Sequence, residues 1–170
     1  MGHWFLVNWQ RKRQMEDKAM DVHLSLSNAL INRKSCRSYN PYEITDTEID
    51  LFKWAANQAP HASPHRHYEL ICVKDQITKN KICAACMDQK YVSDCSVVMV
   101  FCGTEEDKTL RQGHPKYVFD SAAACMCSDL MAVSMGYQTV WIGNFIPESV
   151  KKILNTDLRP TIILLVGKQT

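Results

Sequence analysis

The feature that most constrains the fold of this chain is a set of short apolar strand patterns separated by unequal helical stretches. Residues 68–73, 97–101 and 161–166 are rich in β-branched, aliphatic or aromatic side chains, which predicts strands, the one at 97–101 in the interior. Helical spacing fills the intervals, but these intervals lack the regular spacing of βαβ units. The pattern therefore favours an α+β sandwich over a doubly wound sheet.

Capping and breaking residues predict the ends of two helices in the first third of the chain. The apolar spacing of residues 22–31 suits a helix that ends near Arg33. Thr45 and Glu48 have the spacing of a capping box, in which side chain and backbone bond reciprocally. A second helix is therefore expected after Thr45, and Pro60 helps to end it.

Further helices are expected in the remainder of the chain. A short one falls around residues 77–87. An alanine-rich helix is predicted over 120–135, with Asp120 as its cap and Gly136 as the residue that ends it without a Cβ penalty. Pro147 is well placed in the first turn of a last short helix.

Size and charge limit the possible classes of protein. The chain has 170 residues, 46% hydrophobic and 22% charged, with a net charge of +2. No apolar run reaches the roughly 20 residues needed to span a bilayer, and the charge is too small to indicate a nucleic-acid partner. Residues 1–20 are expected to be an N-terminal extension or arm, and residues 21–170 a single domain.

Eight cysteines raise the question of disulfides or a metal. Cys36, Cys72, Cys95 and Cys102 lie in or beside apolar stretches, where thiols act as small hydrophobic groups. The only CxxC, at residues 83–86, has no second pair at the spacing of a zinc ribbon. We therefore expect reduced cysteines, no metal and a cytoplasmic location.

Two segments far apart in the sequence suggest a flavin mononucleotide site. Residues 33–37, RKSCR, place three cations around one hydroxyl, a combination that suits phosphate oxygens. Residues 136–143, GYQTVWIG, end in Gly143, which can bring backbone N–H groups against a flat ring. The alternative for the first segment is that its cations only complement the negative end of a helix.

Together with the middle of the chain, these segments resemble the nitroreductase family of FMN-dependent oxidoreductases. Four blocks match in order over about residues 22–168: the R-x-S-x-R block, the segment APHASPHRHY at 59–68, the alanine-rich helix, and the WIG of 141–143. The resemblance implies a nitroreductase-like α+β sandwich with a central, mainly antiparallel mixed sheet flanked by helices. It also implies a homodimer with FMN at the subunit interface.

The resemblance implies cofactor contacts for individual residues. The phosphate end of FMN would be bound by the first block, and the central ring would lie beside backbone near the end of the fourth. Lys168 resembles a further phosphate-binding cation, although the chain stops two residues later. These contacts comprise Arg33, Lys34, Ser35, Arg37, Ile142, Gly143 and Lys168.

The loop of the second block resembles a family segment that crosses to the other subunit and touches its flavin ring. Its predicted contacts are Pro60, His61, Ala62 and Ser63. The loop departs from the family at Pro64 and Arg66, where relatives commonly carry Asn and Gln. Arg66 could instead place positive charge near the anionic edge of the reduced flavin. Its three histidines are expected to be solvated or packed rather than to bind a metal.

Residues 103–118 are polar, and we expect them to form a mobile loop over the site, with Tyr117 and Phe119 as substrate gates.

No Ser-His-Asp or paired-carboxylate arrangement is evident in the sequence. A flavin enzyme needs neither, since the cofactor carries the chemistry.

The resemblance implies hydride transfer from NADH or NADPH through FMN to a nitroaromatic, quinone or other conjugated acceptor. Two alternatives remain open. One is a flavin-binding, redox-sensing protein with little turnover. The other is a specialised member of the family that dehalogenates its substrate or destroys flavin.

Overall fold

The computed structural model describes residue 14, residues 25–104 and residues 108–169. The predicted extension over residues 1–20 therefore lies outside the described residues, apart from Gln14. In chain order the elements are α1 Leu26–Asn32, α2 Asp46–Ala56, β1 Tyr68–Val73, α3 Gln76–Ala85, α4 Tyr91–Asp94, β2 Val97–Gly103, α5 Lys116–Ser134, β3 Gln138–Ile142, α6 Pro147–Leu154 and β4 Arg159–Gly167.

The four strands form one sheet in the order β1-β2-β4-β3, and all three pairings are antiparallel. β2 is buried along its whole length at the centre, as expected from its continuous apolar run. The predicted mainly antiparallel sheet is confirmed. Parallel pairing within the described residues is limited to one bridge, between Ser35 and Thr139.

Helices cover both faces of the sheet, which confirms the α+β sandwich. On one face, α2 and α5 pack against side chains such as Met99, Phe101 and Leu164. On the other, α3 and α6 cover Val98 and Ile163. Neighbouring residues of β2 therefore enter opposite cores, because successive strand side chains point to opposite faces.

The predicted signals at three helix ends are confirmed, those at Thr45, Pro147 and Gly136. The Thr45 hydroxyl accepts from the Glu48 N–H while the Glu48 carboxylate accepts from the Thr45 N–H, which completes the capping box. Pro147 occupies the first turn of α6. Gly136 follows α5 with a φ of 76°, a conformation that favours glycine.

The predicted start of the long helix is wrong. α5 begins at Lys116, so Asp120 lies inside it and is buried rather than capping it. Tyr117 is also buried, and a Cβ on Gly103 would lie 2.4 Å from its ring. The proposed mobile loop therefore ends before Lys116. Residues 116–119 instead extend the helix, and Tyr117 packs on Gly103 at the end of β2.

Candidate active site

The two blocks that suggested a cofactor site meet at the edge of the sheet. β3 is an edge strand, and the chain after α1 runs beside it. Ser35 forms the bridge to Thr139, and the Cys36 N–H donates to the Thr139 carbonyl at 2.8 Å. Residues about a hundred positions apart are thereby placed side by side.

The cations of the first block lie where α1 ends. Arg33 leaves the helix in an extended conformation, its N–H still bonded to the Ala29 carbonyl at 2.9 Å. Its side chain is half-buried, whereas Lys34, Ser35 and Arg37 are exposed. Three cations and a hydroxyl therefore lie at one edge of the sheet. The alternative is that these cations serve to complement the negative C-terminal end of α1.

A buried carboxylate lies beneath this edge. Asp129 of α5 accepts from the Thr139 hydroxyl at 2.5 Å and from the Trp141 indole N–H at 2.8 Å. Burial raises the pKa of Asp129, and these two bonds and the charge of Arg33 oppose the rise. Asp129 was not among the predicted site residues; the sequence signal for it is an acidic residue within an alanine-rich helix.

The backbone after β3 is open. Ile142 is buried and ends the strand, while Gly143 is exposed, and a Cβ at Gly143 would meet no atom within 4 Å. Trp141 is 36% exposed, so it is not simply a core residue. This part of the edge leaves room for a flat group beside the main chain.

The loop of the second block is fastened to α5 by Asp120. One Asp120 oxygen accepts from the Ala62 N–H at 2.7 Å, and the other accepts from the His67 N–H at 2.9 Å and lies 3.1 Å from the His67 ring. The buried ring also contacts the Ser63 hydroxyl. Pro60 and His61 remain exposed. His67 is therefore a packed residue, one of the two states expected for these histidines.

The loop and the cationic edge are held at different places along α5. Asp120 and Asp129 are nine residues apart in that helix, a separation of about 13 Å at 1.5 Å per residue.

Arg66 is directed to the end of α2, where its guanidinium donates to the Asn57 side chain and lies 5.8 Å from the centre of the Tyr68 ring. Its predicted role beside a flavin remains a prediction.

Lys168 already has partners within the protein. Its ammonium donates to the carbonyls of Met135 and Gly136 at 3.2 and 3.1 Å and lies 3.7 Å from the Tyr137 ring centre. Burial lowers its pKa, and the charge of Glu48 opposes that shift. A phosphate would have to compete with these contacts, so the predicted phosphate role of Lys168 stays a prediction.

The two predicted gates differ in position. Tyr117 is buried against Gly103, and its role as a gate stays a prediction. Phe119 is 49% exposed, and its ring centre lies 6.1 Å from that of His114. Phe119 is therefore the gate candidate that has access to solvent.

The cysteines are mostly buried thiols. Burial raises the pKa of Cys72 to about 11 and that of Cys95 to about 12, so neither is a thiolate at neutral pH.

Within residues 25–104 and 108–169, no group of three or more potential ligands could hold a metal ion. The same part of the chain has no helix with the length and hydropathy of a membrane span.

The fold and this edge define an α+β protein with a cationic segment and an exposed glycine beside an edge strand. A family model described as the nitroreductase family matches residues 30–168. The chain belongs to the nitroreductase family.

Individual relatives agree with this assignment. A protein of Archaeoglobus fulgidus, provisionally named NADH dehydrogenase/NAD(P)H nitroreductase, is 27% identical over 125 residues, 74% of this chain and 71% of the relative. A nitroreductase family protein from Clostridium novyi NT has a TM-score of 0.81 at 22% identity, with 86% of each chain covered.

Larger solved structures share the same fold. NADPH:FMN oxidoreductase from Vibrio harveyi, complexed with NAD+, has a TM-score of 0.76 at 19% identity, covering 84% of this chain and 68% of that one. The chain spans 66% of Bacillus megaterium NfrA2, slightly under two thirds of its length. At such identities these structures support the fold rather than a shared substrate.

Proposed function

We propose that this protein is an FMN-dependent oxidoreductase that takes hydride from NADH or NADPH and delivers it to a nitroaromatic, quinone or other conjugated acceptor. The family assignment and the named activities of the relatives support an oxidoreductase. The observation that carries the proposal is the junction of Ser35 with Thr139, which joins a phosphate-type cation cluster to an open backbone edge.

The residues at this edge suit FMN. Arg33 and Ser35, aided by Lys34 and Arg37, offer charge and donors for a phosphate monoester. The exposed backbone at Gly143 can accept a flat ring without obstruction by a side chain. When bound, the flavin would supply the hydride chemistry.

In the proposed enzyme, the protein holds and shields the cofactor. Ile142 and Gly143 would support one side of the ring through main-chain groups. By resemblance, Pro60, His61, Ala62 and Ser63 would complete the site of the partner subunit in a homodimer. Asp120 would hold that loop in place through its backbone.

The test begins with purified protein, its absorbance spectrum and identification of any released cofactor, followed by anaerobic addition of NADH or NADPH. Bound FMN that bleaches with either nucleotide would support the proposal. Protein that neither carries FMN nor takes it up would contradict it. Flavin without bleaching would instead favour the redox-sensing alternative, and loss of the flavin itself would indicate a flavin-destroying enzyme.

A matched pair of variants tests the location of the site. Arg33→Ala removes a half-buried cation at the edge and should weaken FMN binding about tenfold or more, because a charge-assisted bond to phosphate contributes about 1.5–3 kcal/mol. Lys81→Ala removes a positive charge from an exposed position on α3, on the other layer of the sandwich, and should leave binding unchanged. Titration of flavin fluorescence measures both. Equal affinities in the two variants would place the phosphate elsewhere.

A further inference from the structure

We propose that Asp129 is a positioning residue of this site with two roles. Its hydrogen bond from the Trp141 indole orients that ring, and its negative charge lowers the affinity of the region around Arg33 for a ligand phosphate. The inference rests on the proposed function, because it assumes that FMN occupies the edge of β3. It assigns a role to a side chain outside the R-x-S-x-R and WIG blocks.

The orienting role follows from the hydrogen bonds of Asp129. Its side chain is 1% exposed, and each oxygen accepts one bond, from Thr139 or from Trp141. The two donors are two residues apart on β3 and therefore lie on the same face of that strand. Asp129 thus holds the part of β3 that leads directly to Gly143.

The position of Trp141 makes this contact relevant to a ligand. Its indole is partly exposed, yet the indole N–H is held by a buried acceptor. Loss of that acceptor would free the ring to take other rotamers at the surface where a flat group is expected. A ligand that packs on this edge would then bind less well, because ordering the indole costs conformational entropy.

The second role follows from charge. Arg33 is two residues from Ser35, which bridges to Thr139, and the Thr139 hydroxyl donates to Asp129. The helix that ends at Arg33 also packs on α5, which carries Asp129. The charges of Arg33 and Asp129 therefore act on each other, and the carboxylate reduces the positive potential around Arg33. A phosphate dianion approaching Arg33 experiences that reduction, whereas an uncharged ring does not. The charge of Asp129 therefore opposes the phosphate part of binding alone.

FMN and riboflavin separate the two roles, because they have the same ring and differ in the phosphate. Affinity of the apoprotein for each is measured by fluorescence titration. Asp129→Asn removes the charge and keeps an acceptor for Trp141, so FMN should gain about tenfold over riboflavin, the order expected for one partly screened charge. Asp157→Asn removes the same charge at an exposed position and should leave the ratio unchanged.

Two further variants test the hydrogen bond. Asp129→Leu removes acceptor and charge, so riboflavin should bind several-fold more weakly while the FMN preference rises as in Asp129→Asn. Trp141→Phe removes the indole donor and keeps the Asp129 side chain with its bond from Thr139. It should weaken riboflavin and FMN by the same factor, and it keeps the inference testable if a change at Asp129 prevents folding.

The outcomes separate this inference from the proposed function. Wild-type protein that binds neither flavin would overturn both. A second outcome has three parts: wild-type protein prefers FMN, Asp129→Asn has the same preference, and Trp141→Phe has unaltered flavin affinities. That outcome would overturn the inference and leave the proposed function standing. An increased FMN preference in Asp129→Asn but not in Asp157→Asn, with weaker riboflavin binding in Trp141→Phe, would support it.

Discussion

At the scale of single residues, two buried aspartates connect α5 to the segments that form the candidate site. Asp120 bonds to the loop of residues 60–67, and Asp129 bonds to β3. A buried carboxylate is tolerated only when donors replace the water it has lost. Each aspartate is therefore tied closely to one particular arrangement of the backbone opposite it.

Asp120→Ala should destabilise the protein by about 3 kcal/mol. The substitution leaves the Ala62 N–H, the His67 N–H and the His67 ring without their shared acceptor, and buried unpaired donors are costly. Urea denaturation measures the change. Limited proteolysis should also cut the loop at residues 60–67 more rapidly.

Asp50→Ala is the matched control for this prediction. Asp50 is half-exposed and pairs with Lys53 at 3.5 Å, so its loss should cost no more than about 0.5 kcal/mol. Equal losses of stability in the two variants would show that Asp120 does not hold the loop.

At the scale of secondary-structure elements, the start of α2 is joined to the end of α5 through Glu48. Glu48 completes the capping box with Thr45 and also accepts from the Tyr137 hydroxyl at 2.5 Å. Lys168 lies over the Tyr137 ring. This arrangement connects the turn that begins β3 to a helix that precedes β1, and it supports the edge that carries Thr139 and Trp141.

The ionisation of Glu48 should make the free energy of unfolding depend on pH in the acid range. Burial raises its pKa, but bonds from Tyr137 and Thr45 and the charge of Lys168 outweigh burial, so its pKa lies below the ordinary 4.5. A lowered pKa means that this contribution to stability is complete above about pH 4.5 and is lost as the pH falls through the folded-state pKa.

Urea denaturation of wild type and Glu48→Gln between about pH 7 and about pH 3 tests this dependence. The variant should be less stable at neutral pH, and the difference should shrink as the pH falls. Glu69→Gln, at an exposed position on β1, should show no such convergence. A difference for Glu48→Gln that stays constant over this range would contradict the prediction.

At the scale of the whole molecule, apolar side chains remain exposed on the layer that contains α1 and α5. On α1, Leu26, Leu30 and Ile31 are 65%, 51% and 79% exposed. On α5, Val118 and Phe119 are 40% and 49% exposed. Clusters of exposed apolar residues are typical of interaction surfaces, which supports the proposed homodimer.

Ile31→Asp should shift the protein from dimer to monomer and weaken FMN binding, because a carboxylate is costly to bury at an apolar interface. Ile77→Asp is a close control, since Ile77 is 71% exposed on α3, across the sheet. Sedimentation velocity and flavin titration measure the two effects. A wild-type monomer, or the same behaviour in both variants, would contradict the predicted interface.

The local parts of the structure were predictable from residues close in sequence. The capping box at Thr45 and the turn at Gly136 depend on interactions within a few residues. The apolar run of residues 68–73 indicates the bounds of β1, although the strand itself pairs with distant β2. The start of α5 was misplaced because Asp120 is a good capping residue as well as a good buried acceptor. Its partner loop lies more than fifty residues away, so the sequence held no local sign of which role applied.

In the candidate site, too, some features were predictable from the sequence and others depend on tertiary packing. The chemistry of residues 33–37 and the lack of a side chain at Gly143 follow from the residue types alone. Their meeting at Thr139, the support of Asp129 beneath them and the engagement of Lys168 by Met135 and Gly136 depend on the packing of distant elements. Residue types limit which interactions a group can form, whereas the three-dimensional packing selects the partners and leaves some cations available to a ligand while others are satisfied within the protein.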